Sequence, residues 1–186
     1  PEDKAEIATR LGWLAKETGN VRASRRYFAR GRGSVVSLAT YTIIGITSAI
    51  SLAALLSSEG RLIYEALALI KPDVAEGQLW RLWTVTLVHA DFLHLGFNMY
   101  ALYLAGPLVE QIYGSPRMVV VYLVAAAGAS IASFAVSEGR VVVGASGAIF
   151  GLFGVLFAAS RMHLPMLDRR GRAIIGQVGF LIVINI

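Results

Sequence analysis

Long apolar runs separated by short polar stretches dominate the chain from residue 34 onward, at about 34–57, 92–112, 117–137 and 145–161, with a fifth from 173 to Ile186. The 24 residues of the first run, at 1.5 Å each, exceed the ~30 Å hydrocarbon thickness of a bilayer and can span it with some tilt. The fourth, from Ser146 to Arg161, rises only about 24 Å, so its N-terminal end is expected below the outer surface. Non-helical backbone at that depth is tolerated only where it is buried in protein or lines a wet cavity, which predicts a water-filled cavity at Ser146. Between the first two runs, residues 58–91 carry an apolar patch from Leu62 to Ile70, a break at Lys71-Pro72-Asp73 and an aromatic segment from Leu79 to Trp83. Tryptophan favours the membrane interface, so this connection is expected to lie partly among the headgroups. The pattern predicts an all-α, polytopic transmembrane helix bundle over 34–186, preceded by a basic, cytoplasmic helical segment over 1–33.

Composition agrees: 56% of residues are hydrophobic and only 16% charged, too apolar a balance for a soluble core. Cysteine is absent, which excludes disulfides and thiolate metal sites. Three histidines without clustered carboxylates give no reason to expect a metal, and no cofactor or nucleic-acid partner is implied. The chain begins at Pro1 without an initiator methionine or short apolar leader, so no signal peptide is expected and the start reads as trimmed.

Eight of the seventeen Lys and Arg residues precede residue 34. Leu11, Gly12, Gly19, Ser24 and Phe28 fall at spacings like those of one tetratricopeptide helical hairpin, a unit that cannot bury its own face alone. The favoured reading is an amphipathic basic pair of helices near anionic headgroups, each basic residue contributing ~1 kcal/mol at the surface. With the N-terminus inside, the inner segments hold thirteen Lys and Arg and the outer segments four, which sets the orientation. That arrangement puts His94 and Ser146 at the outer ends of their helices, where they can meet.

The candidate chemistry begins at Val143–Gly154, VGASGAIFGLFG. Gly144, Gly147, Gly151 and Gly154 recur at spacings of three, four and three, a bare stripe along which another helix can approach closely. A serine between small residues packs easily in membrane helices. It also has open space over its oxygen and accessible backbone N–H groups, as a nucleophile beside an oxyanion site requires. A helix N-terminus adds unpaired N–H groups and the positive end of the dipole. Upstream, in HADFLHLGFN, His94 and Asn98 are four apart and share a helical face. Two strong polar side chains inside a bilayer need partners and mark function by default.

HxxxN upstream of GxSG in a multi-helix membrane chain resembles the rhomboid family of intramembrane serine proteases. Trp80-Arg81 matches that family's Trp-Arg pair in the first loop, and Glu110 with Gly114 its acid and glycine closing the second helix. The resemblance covers Leu79 to Phe157; the N-terminal third shares nothing diagnostic. It implies a six-helix membrane domain of which this chain holds five helices, the fifth in part. It also implies hydrolysis of peptide bonds in or beside the transmembrane segments of membrane-protein substrates; the expected location is a prokaryotic plasma membrane, with the site toward the outer face by the distribution of basic residues. Ser146 would be the nucleophile, or else a packing serine. His94, Asn98 and the N–H groups of Ala145 and Ser146 would form the oxyanion hole, or the two side chains a satisfied buried pair. The family's base is a histidine on the sixth helix, beyond Ile186; His163 lies seventeen residues after Ser146, a full span away, and reads as a surface residue. His89 is assigned a hydrogen-bonding role at the mouth of the site. Phe150 stands one turn after Ser146, where the family often has a tyrosine stacked on the catalytic histidine, or it packs in the core. Trp80 and Arg81 would anchor the first loop, Glu110 would accept hydrogen bonds near the inner end, and the glycine stripe would fit the small residues of the sixth helix. A catalytically inactive rhomboid relative that binds membrane helices is the alternative. A transporter would need inverted repeats, and none is evident.

Overall fold

The structure is a computed structural model that describes residues 4–31 and 37–162; the fifth apolar run and His163 lie outside the described residues. An N-terminal hairpin pairs α1 (Lys4–Glu17) with α2 (Val21–Gly31). Gly12 lies so close to Phe28 that a Cβ there would sit 2.7 Å from its ring, and Trp13 meets the same ring edge-on at 5.5 Å. Ile7, Leu11 and Leu14 remain exposed on α1, as expected of a single hairpin.

The bundle itself is built from α3 (Leu38–Leu56), α7 (Phe92–Tyr113), α8 (Ser115–Val136) and α9 (Ser146–Met162). The first three are long and apolar enough to cross a membrane, whereas α9 is a shorter apolar helix, about 25 Å by rise. The chain is therefore an all-α, multi-pass membrane bundle. On the first of these helices, α3, polarity runs opposite to that of a helix in a soluble domain. On α3 the buried residues are Thr40, Thr47 and Ser51, while Leu38, Ile46, Leu52 and Leu56 face outward. Lipid tails are as apolar as leucine, so hydroxyls can go inside; there Thr40 and Ser51 find partners, whereas the Thr47 hydroxyl has none among the described residues.

The shorter helix α9 packs against α7 and α8. Ala145, Ala148, Ile149, Leu152, Phe153 and Leu156 are buried, packed with Leu102 and Val109 of α7 and Met118 and Ala126 of α8. On the side facing α8, a Cβ at Gly147 would lie 2.3 Å from that of Ala129, and one at Gly151 2.1 Å from that of Ala125. Only glycine permits this separation. The expected stripe is therefore two residues long on α9, because Gly154 faces open space and Gly144 precedes the helix.

Residues 58–91 are well structured, holding α4 (Gly60–Leu67), strand β1 (Leu69–Ile70), α5 (Lys71–Ala75), α6 (Arg81–Thr84) and a 3₁₀ turn at Val85–Leu87. Strand β1 pairs antiparallel with β2 (Val141–Val142), Leu69 opposite Val142, just before Ser146. The buried Arg81 ties the segment together: it donates to the carbonyls of Glu65 and Ala68 at 2.7 and 2.6 Å, to Gln78 at 2.9 Å, and pairs with Asp73 at 2.8 Å. Trp80 stays half exposed, and the indole that binds the bundle is that of Trp83, donating to the Leu123 carbonyl.

At the far end of α7 from His94, Glu110 accepts from the Ala39 and Thr40 amides and from the Thr40 and Ser115 hydroxyls. It caps α3 from another helix, putting a carboxylate where unpaired N–H groups and the helix dipole favour one. Gly114, at φ +83, then turns the chain into α8, whose first turn holds Pro116.

Candidate active site

Ser146 is the first residue of α9, and Ala145 supplies the carbonyl that accepts the first helical bond, from Ile149. The N–H groups of Ser146, Gly147 and Ala148 lie in the opening turn, where no intrahelical acceptor exists for them. Ser146 lines a cavity of about 230 Å³ between α8, α9 and the 3₁₀ turn, together with Gly144, Gly147, Phe150, Thr86, Ser130 and Ser133. Hydroxyls on three sides make it a polar recess with room for several water molecules. Phe150 shares the recess, as its position one turn on requires.

The loop before Ser146 is pinned backbone to backbone. The Gly144 amide donates to the Val85 carbonyl at 3.0 Å and the Lys71 amide to the Arg140 carbonyl at 3.0 Å, while the Lys71 ammonium reaches the Ser137 carbonyl. Gly144 has φ +112, a conformation that L side chains rarely adopt, and a Cβ there would lie 2.8 Å from Cε1 and Nε2 of His94. Backbone geometry and the neighbouring imidazole both require glycine at this position.

His94 thus meets the serine loop at Gly144. It comes from the first turn of α7, started by Asp91, whose carboxylate accepts the His94 amide at 2.8 Å as an N-cap. Asn98, one turn along and 1% exposed, donates to the His94 carbonyl at 2.9 Å, and its Oδ1 is buried without a partner. The two do not line the cavity with Ser146: His94 approaches from the α7 side of Gly144, and one of the Asn98 N–H groups is turned onto backbone. Two polar groups thus back the serine loop.

His89 is fully buried beneath this loop. Its Nδ1 lies 2.9 Å from the Ser51 hydroxyl, its Nε2 accepts the Ala145 amide at 3.3 Å, and its ring meets that of His94 edge-on at 5.0 Å. Burial first, then the neighbouring His94, pushes its pKa down to about 4 against the opposing pull of Asp91. With both ring nitrogens occupied it has no lone pair left for a serine. Sequence reasoning misses Ser51, on α3, since nothing local distinguishes one hydroxyl in an apolar run from another. Among the described residues no group of His, Cys, Asp and Glu is placed to hold a metal ion.

The Rhomboid domain family model matches residues 76–186 of the chain. Rhomboid protease GluP of Bacillus subtilis (strain 168) is 43% identical over 96 residues, 52% of this chain and 19% of that protein. Putative rhomboid protease YdcA of the same organism is 45% identical over 114 residues, 60% of this chain and 57% of that protein. RHOMBOID-like protein 5 of Arabidopsis thaliana is 36% identical over 121 residues, 64% of this chain and 39% of that protein. The chain spans less than two-thirds of the length of each of these relatives.

Proposed function

We propose, from the premise that this chain belongs to the rhomboid family, that it carries most of the catalytic core of an intramembrane serine endopeptidase acting on transmembrane segments of other membrane proteins. Ser146 is the nucleophile, attacking a substrate carbonyl carbon as its proton passes to a base, which returns it to the amine that leaves when the peptide C–N bond breaks. The developing oxyanion is met by N–H groups at the start of α9, with His94 and Asn98 contributing from behind Gly144. Hydrolysis of the acyl-enzyme draws on water in the recess beside Ser146.

One observation carries this reading: a serine at the first residue of α9, bordering a polar recess, after a loop that a left-handed glycine and the His94 imidazole hold in place. The base is a histidine from the sixth helix, by family resemblance, since His89 is committed to Ser51 and Ala145. The N-terminal segment faces the cytoplasm and Ser146 the outer leaflet of a prokaryotic plasma membrane, as the thirteen-to-four distribution of basic residues favours.

The full-length protein, reconstituted with a fluorescent transmembrane substrate, tests it. Cleavage and fluorophosphonate labelling are expected in the wild type and absent in Ser146→Ala. Equal labelling of the two refutes the nucleophile assignment. No cleavage or labelling in either favours the inactive, helix-binding relative.

A further inference from the structure

We propose that Ser51, on the first membrane helix, is a positioning residue for the catalytic serine, acting through the tautomer of His89. The inference rests on the reading of Ser146 as nucleophile. Ser51 is fully buried and its hydroxyl touches two groups: the Leu87 carbonyl at 2.8 Å and His89 Nδ1 at 2.9 Å. A hydroxyl has one proton to give. The Leu87 carbonyl can only accept, so that proton goes to it, and toward His89 the Ser51 oxygen is an acceptor. Nδ1 of His89 must then carry the ring proton. In a neutral imidazole this leaves Nε2 as a lone pair, which is what the Ala145 N–H needs at 3.3 Å.

The chain of bonds has one consistent direction: Ala145 N–H to His89 Nε2, His89 Nδ1–H to Ser51, Ser51 O–H to Leu87. Reversing the tautomer would set an Nε2–H against the Ala145 N–H. The groups facing the ring are Ser51 from α3, Asp91 and His94 from the start of α7, and Ala145 and Gly144 from the serine loop. Asp91 and His94 carry acceptor atoms of their own, but among the described residues the ring's hydrogen bonds run to Ser51 and Ala145 alone, so the hydroxyl of Ser51 decides.

The consequence falls on Ser146. Ala145 is the last residue before the helix, and its amide, expected from the sequence in the oxyanion hole, is bound to His89 instead. Binding it to His89 fixes the peptide planes that aim the next N–H groups into the site, and fixes Gly144 against His94. Loss of the Ser51 hydroxyl frees the ring to take the other tautomer or to rotate, loosening the loop without unpacking the bundle.

The test uses the full-length protein with ¹⁵N-labelled histidine. In the wild type His89 is expected as the Nδ1–H tautomer, its Nε2 resonating as an unprotonated nitrogen at pH 7. Ser51→Ala is expected to slow fluorophosphonate labelling and lower kcat about tenfold with KM unchanged, and Ser51→Thr, which keeps the hydroxyl, to restore both. An Nε2–H tautomer in the wild type, or wild-type kcat in Ser51→Ala, overturns the proposal. Should Ser51→Ala fail to fold, the wild-type tautomer alone decides. The two levels separate cleanly: labelling lost in Ser146→Ala but unaffected in Ser51→Ala removes only the positioning role, whereas labelling retained in Ser146→Ala removes the nucleophile as well.

Discussion

Acid should destabilise this protein through His89 in a defined window. The ring is fully buried, its two nitrogens are occupied, and its pKa is pushed from 6.5 to about 4. In the unfolded chain it takes up a proton near its ordinary pKa; in the folded chain it resists. Between those values the unfolded state binds more protons, so stability falls as pH falls. The contribution is fully present above about pH 6.5 and fully lost below about pH 4. At 1.36 kcal/mol per unit, the shift corresponds to about 3 kcal/mol, a large fraction of the stability of a typical domain.

Other carboxylates and histidines titrate over the same range, so the measurement is a difference between two proteins. Equilibrium unfolding of the wild type and of His89→Gln is followed in detergent micelles from pH 7.5 to 4. The variant lacks the titrating ring but keeps a side chain able to accept from Ala145. The gap between the two should narrow by about 3 kcal/mol across that interval, nearly all of it between pH 6.5 and 4. Parallel curves would refute the reasoning, as would a wild type that gains on the variant in acid. Either result would mean that His89 is solvated or stabilised as a cation by Asp91.

Five further substitutions, at four residues, separate steric from electrostatic causes. Gly144→Ala combines a left-handed backbone, costing about 1–3 kcal/mol, with a Cβ that displaces His94; labelling of Ser146 should fall at least about tenfold, more than the loss in thermal stability accounts for. Gly151→Ala should lose roughly 1–3 kcal/mol by forcing α8 and α9 apart, while Gly154→Ala, in open space, should be neutral or gain up to about 1 kcal/mol of helix propensity; thermal unfolding of the pair compares them. Arg81→Ala leaves two carbonyls and Asp73 without their donor, so roughly 3 kcal/mol or more should be lost in denaturant titration. Arg81→Lys should recover only part of it, because one ammonium cannot span the same fork of acceptors.

What can be read from the sequence is set by the solvent. A bilayer demands long uniform apolar runs, so the helices stand within a few residues of the runs at 34–57, 92–112, 117–137 and 145–161. The i, i+4 relation of His94 and Asn98, and Ser146 at a helix start, follow from local periodicity and are equally legible. Contacts across the sequence are not. Nothing near Glu110 reveals that its partners are Ala39 and Thr40, seventy residues earlier, or that Trp83 rather than Trp80 anchors the first connection. The glycine stripe comes out shorter than its spacing implies for a related reason: spacing gives a face, but only the neighbouring helix decides which glycines meet it, and α8 meets Gly147 and Gly151 alone.

The long first connection acquires a purpose from the same physics. A serine at a helix N-terminus beneath the membrane surface must be preceded by non-helical backbone, and that backbone cannot turn to lipid for hydrogen bonds. Its donors and acceptors are met by residues 69–89: Leu69 and Ile70 pair with Val142 and Val141, Lys71 binds Arg140 and Ser137, the Val85 carbonyl takes the Gly144 amide, and His89 takes that of Ala145. The connection is therefore the scaffold of the serine loop. Arg81, buried in its middle, holds α4, α5 and α6 in the arrangement that presents those groups. Damage at Arg81 must then reach Ser146 through the backbone pairing and the Lys71 and His89 side chains that hold the loop. Loss of activity in Arg81 variants should accordingly track hydrogen-exchange deprotection at Val141–Ala145; deprotection confined to α4 and α5 with full activity would show the loop to be self-supporting.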